Sequence, residues 1–168
     1  MTIPNFITIF RFLLVPAVIL ALLSDDKEWA LVCFVVAGLS DAVDGFIARH
    51  FNQQSVLGAY LDPMADKLLL VSVFVVLGFM GELPLWLVVA AVSRDALIVC
   101  AVVLSTVMDN PVTVKPLFVS KANTAIQILL VIVVLAELAF ETAFGEARFL
   151  LVVLCGILTV ASAAAYLV

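Results

Sequence analysis

Long apolar runs separated by short polar clusters organise the whole chain. The breaks are Ser24-Asp25-Asp26-Lys27-Glu28, the stretch His50 to Ser55, Gly81-Glu82-Leu83-Pro84, Met108 to Pro116, and Glu141 to Glu146. Between them lie six segments, about 4–23, 29–50, 57–80, 83–107, 117–140 and 147–168. Each approaches the roughly 20 apolar residues that a helix needs to cross a bilayer. The pattern predicts an all-α integral membrane protein of about six transmembrane helices, a single domain over residues 1–168. No internal repeat or low-complexity segment interrupts it. The first segment is the most broken, by Pro4, Asn5, Arg11 and Pro16, so its first half could lie in the interface as an amphipathic helix before the chain turns inward.

Composition supports that reading. The chain is 66% hydrophobic and 12% charged, with a mean hydropathy of +1.32. A soluble domain is about half apolar and a quarter charged. Disorder, collagen, a disulfide scaffold and a nucleic-acid binder each need a different composition. The net charge of −5 argues against a polybasic surface. Cys33, Cys100 and Cys155 each stand alone in an apolar run, without metal-ligand or redox spacing, and read as small hydrophobes. Arg11 inside the first apolar run, with no small-residue cleavage site after it, argues against a cleavable signal peptide.

Lys and Arg set the expected orientation. With the N-terminus inside, Arg11, Arg49, Lys67, Lys115 and Lys121 fall at cytoplasmic ends of spans. The opposite side holds Lys27 and Arg148, diluted by Asp25, Asp26, Glu28, Glu82, Glu141 and Glu146. Six spans then return the C-terminus to the cytoplasm.

Ionisable groups in or beside transmembrane helices are costly and mark functional sites. Asp41 and Asp44 close the second segment, and Asp62 and Asp66 open the third. Asp41, Asp44, Gly45 and Ala48 follow i, i+3, i+4, i+7; Gly58, Asp62 and Asp66 follow i, i+4, i+8. Each set occupies one helix face. The connection is short, so the two helices are expected to be antiparallel neighbours whose carboxylates meet across a narrow, cytoplasm-facing polar cavity. Four anions that close need a cation among them. All-oxygen ligation suits one or two Mg²⁺ or Mn²⁺ ions, and the lack of nearby Cys or His ligands disfavours zinc. His50, the only histidine, reads as interfacial. Gly45, Ala48 and Gly58 permit close helix packing, or room for a flat ligand against the backbone. Pro63 would suit a first turn with Asp62 as its N-cap, or would lie in an ongoing helix.

These positions read Asp41-x2-Asp44-Gly45-x2-Ala48-Arg49-x8-Gly58-x3-Asp62-x3-Asp66. The run resembles the complete signature of the CDP-alcohol phosphotransferase, or phosphatidyltransferase, family. The resemblance implies transfer of a phosphatidyl or similar group from a CDP-linked donor to an acceptor hydroxyl, with release of CMP. It implies that Asp41, Asp44 and Asp62 ligate metal, and that Asp66 adds to the second metal and serves as general base. Gly45, Ala48, Arg49 and Gly58 would form the cytidine and phosphate pocket. Asn5, Thr8 and Arg11 repeat at helical spacing and either join that donor site or anchor the interface. A homodimer is expected on the same ground, in a bacterial inner membrane rather than a mitochondrial one.

The remaining cations bear on the acceptor. Arg94 lies near the middle of the fourth segment, where an unpaired guanidinium is expensive. An ion pair with a motif aspartate would satisfy it; Asp95 points off by roughly 100° and is the less direct partner. Together Arg94, Lys115 and Lys121 could build a phosphate pocket. Ser93-Arg94-Asp95 and Lys115-Pro116-x3-Ser120-Lys121-x-Asn123-Thr124-x2-Gln127 resemble the cardiolipin synthase branch, which joins CDP-diacylglycerol to phosphatidylglycerol. The alternative is the phosphatidylglycerophosphate synthase branch, with glycerol 3-phosphate as acceptor. That branch more often has Arg-Glu at the first place and Gly-Lys-x-Lys-Thr at the second. A cation or proton transporter is a remote third reading, disfavoured because the aspartates gather at one membrane face.

Overall fold

A computed structural model describes the backbone of residues 3–51, 56–107 and 118–167, and the side chains of residues 9–40, 67–100 and 118–165. The described residues form six helices: α1 (Ile3–Leu23), α2 (Lys27–Phe51), α3 (Val56–Phe79), α4 (Leu85–Val107), α5 (Phe118–Phe140) and α6 (Gly145–Leu167). Every end falls within two residues of the boundary that the apolar runs predict. The first segment is one continuous helix that carries Pro16 inside it, not an interfacial piece followed by a span. α3 starts at Val56, so Pro63 lies within an ongoing helix and Asp62 is not its N-cap.

Short turns stop the helices. After α1, Ser24 and Asp26 donate backbone N–H groups to the Leu20 and Ala21 carbonyls at 2.8 and 2.9 Å, while Asp25 takes a left-handed φ of 65°. Aspartate tolerates that region better than most residues. After α3, Gly81 sits at φ 81°, and Glu82 N–H reaches back to the Leu77 carbonyl at 2.9 Å. This is the left-handed closure for which glycine has no Cβ penalty.

The chain divides into two compact units, Met1–Val76 with Ile132–Ala143 and Leu77–Val131 with Phe144–Val168. In the first unit α1 packs along α2. Val15, Val18 and Leu22 on α1, and Ala30, Phe34 and Ala37 on α2, are buried at helical spacing. In the second unit α4 packs against α6. Gly156 makes that approach possible, because a Cβ there would lie 2.8 Å from the Trp86 ring. Small residues of this kind let helices pack closely where lipid supplies no hydrophobic drive between them.

The outward faces stay apolar: Leu13, Leu20, Trp86, Phe149, Ile157 and Val160 are each more than half exposed. Large apolar side chains exposed in this way suit lipid rather than water. Among the described residues, Phe118–Phe140 and Gly145–Ala165 are long and apolar enough to cross a membrane.

Candidate active site

Helical backbone carries all four motif aspartates. Asp41 and Asp44 lie in the last three turns of α2, and Asp62 and Asp66 in the first three turns of α3, within one unit. The spacing expected to put each set on one face is therefore realised in a helix. The side chains of Asp41, Asp44, Gly45, Ala48, Arg49, Gly58, Asp62 and Asp66, and those of Asn5, Thr8 and Lys115, lie outside the described residues. Among the described residues no group of three or more His, Cys, Asp or Glu is placed to hold a metal ion. The donor set expected from the motif is four carboxylates, borne near the ends of two consecutive helices. Hard oxygen donors of that kind fit Mg²⁺ or Mn²⁺.

Arg11 is fully buried on α1, and it is engaged. A guanidinium without access to water in an apolar unit needs partners, so burial at this position excludes a simple snorkelling anchor.

A second polar cluster lies wholly within the other unit, where α4, α5 and α6 each contribute. Arg94 and Asp95 are only 2% and 5% exposed. The Arg94 guanidinium donates Nη1–H to Asp95 Oδ1 at 2.6 Å, Nε–H and Nη2–H to Ser162 Oγ at 3.1 and 2.8 Å, and Nη2–H to Ser120 Oγ. One planar group thus ties three helices together, and Asp95 balances its charge. This corrects the expectation that Asp95 is the less direct partner. Adjacent Cβ atoms do diverge by about 100°, but a long guanidinium reaches around the helix to the neighbouring carboxylate.

Beside this network Thr159 Oγ1 donates to Asn123 Oδ1 at 3.1 Å, and both residues are buried. Thr124 turns its hydroxyl back to the Ser120 carbonyl at 3.1 Å. Lys121, on the same helix, is exposed. Of the three expected acceptor cations, then, Arg94 is enclosed and bonded, Lys121 is solvent- or headgroup-accessible, and Lys115 lies outside the described residues. Sequence reasoning did not single out Ser162 and Thr159. Their signal was two hydroxyls three residues apart in an otherwise apolar helix, which places both on one face.

A third polar contact closes the unit at the turn before α4. Arg148 on α6 donates to the Glu82 carbonyl and pairs with its carboxylate at 3.1 Å. Both side chains are partly exposed, which limits the stabilisation from such a pair to about 1 kcal/mol or less.

Comparison with known proteins matches residues 1–164 to the model of the CDP-alcohol phosphatidyltransferase family. The chain is 35% identical over 181 residues to the human protein named cardiolipin synthase (CMP-forming), covering 98% of this chain and 60% of that protein. It is 37% identical over 108 residues to the protein of that name from Streptomyces coelicolor, covering 61% of this chain and 50% of that one. A fusion protein of Schizosaccharomyces pombe, named cardiolipin synthase (CMP-forming) / mitochondrial hydrolase, is 34% identical over 182 residues, 98% of this chain and 30% of the fusion. The chain therefore spans about 60% of the length of the human relative, and less of the others.

Proposed function

The chain belongs to the CDP-alcohol phosphatidyltransferase family, and on that premise we propose that it is a cardiolipin synthase. It would transfer the phosphatidyl group of CDP-diacylglycerol to a hydroxyl of phosphatidylglycerol and release CMP. The observation that carries this reading is the Asp41-to-Asp66 signature on the adjoining ends of two helices consecutive in the chain, together with relatives of that name matched over 98% of the chain.

In this proposal the six helices span the bilayer with the aspartate-bearing ends of α2 and α3 at the cytoplasmic face, as the placement of Lys and Arg favours. A lipid donor then keeps its acyl chains in the bilayer while its nucleotide is wet. A homodimer in a bacterial inner membrane is part of the same proposal.

Asp41, Asp44, Asp62 and Asp66 would hold one or two Mg²⁺ or Mn²⁺ ions. When bound, these supply positive charge where the phosphate and the leaving oxygen become more negative. Gly45, Ala48 and Gly58 leave room for the nucleotide against the backbone, and Arg49 with Asn5, Thr8 and Arg11 orients its phosphates. Asp66 takes the proton of the acceptor hydroxyl as that oxygen attacks phosphorus, and the bond to the CMP oxygen breaks. Lys115 and Lys121 would attract the acceptor phosphodiester. Arg94, already bonded to Asp95, Ser120 and Ser162, would contribute by fixing the helices of its own unit.

The test is CMP release by detergent-purified protein with CDP-diacylglycerol and Mg²⁺ or Mn²⁺, phosphatidylglycerol and glycerol 3-phosphate being offered separately. A four-chain lipid formed from phosphatidylglycerol is the expected product. Product from glycerol 3-phosphate alone would make the protein a phosphatidylglycerophosphate synthase.

A further inference from the structure

We draw no further inference here: the strongest candidate, the apolar groove of the second unit where Trp86 of α4 meets Val153, Gly156, Ile157, Val160 and Ala161 of α6, is an unpartnered apolar face, and nothing in the structure shows what covers it.

Discussion

The acidic ends of α2 and α3 and the buried cluster of α4, α5 and α6 are both polar regions in a chain that is 66% hydrophobic, yet they are composed on opposite principles. The first gathers four groups of one sign within 26 residues, Asp41 to Asp66. The second pairs opposite signs and surrounds them with hydroxyls, so that Arg94, Asp95, Ser120 and Ser162 satisfy one another. Like charges drawn together repel and can be held only with a cation from outside the chain. A self-matched cluster needs nothing from outside and holds helices in place. On the proposed reading the contrast separates a region that takes up ligand from a region that fixes a scaffold, where among the described residues Asn123 Nδ2 has no hydrogen-bond partner.

Loss of Asp66 is the strongest way to sharpen that contrast. Asp66→Asn keeps size and one oxygen but would remove the proposed base, and general-base catalysis is worth about a hundred- to ten-thousandfold. The variant should lose at least about a thousandfold in kcat, within that range, while still binding CDP-diacylglycerol in the presence of metal. Turnover like the parent's would take Asp66 out of the mechanism. Chelation with EDTA should likewise silence the parent enzyme, with recovery on adding Mg²⁺ or Mn²⁺. Activity that survives exhaustive chelation would leave the four aspartates without their expected partner.

Asp41→Ala and Asp62→Ala come next, because each would remove a proposed metal ligand and not the proposed base. Both metal-dependent binding of the donor and kcat should fall, by about tenfold or more, as for the loss of groups that orient a metal site. Donor binding measured directly, by equilibrium titration, distinguishes these variants from Asp66→Asn. If all three behave alike, the division of labour among the aspartates is wrong.

The two regions also differ in how far they could be read from the sequence. The six helices were legible because a run of about twenty apolar residues between polar breaks has few other solutions in a bilayer. The aspartate motif was legible because its residues are close in sequence and repeat at helical spacing on two neighbouring segments. The Arg94 cluster was not, since residues 94, 120 and 162 come from three separate helices that only packing brings together. Helical angles ranked Asp95 as the less direct partner of Arg94, because they describe where Cβ points and not how far a flexible side chain reaches. Pro16, one of the residues that interrupt the first apolar segment, does not break its helix, and α1 continues through it.

Arg94→Ala moves the test to the scaffold. Breaking a buried ion pair by removing one partner costs about 3–5 kcal/mol, because Asp95 is left charged and enclosed. The variant should therefore unfold at a temperature lower by several degrees or more in detergent. Arg94→Lys should not rescue it fully, since an ammonium cannot span Asp95, Ser120 and Ser162 in one plane. An Arg94→Ala protein of unchanged stability but raised acceptor KM would break the comparison and return Arg94 to the phosphate pocket.

Ser162→Ala is the gentlest cut into the same network and separates its two components. Its hydroxyl accepts two of the guanidinium's hydrogens, from Nε and Nη2, while Asp95 and Ser120 keep their own bonds. The charge of Arg94 stays paired, so the loss should be that of a hydrogen bond to a charged group, about 1–3 kcal/mol, and smaller than for Arg94→Ala. Thermal unfolding of the two variants side by side gives the ordering. Equal losses would mean that the tie to α6 carries the whole stabilisation and the Asp95 pair contributes none of it. A negligible loss for Ser162→Ala would put the weight on Asp95 and Ser120, leaving α6 held chiefly by its close contact between Gly156 and Trp86.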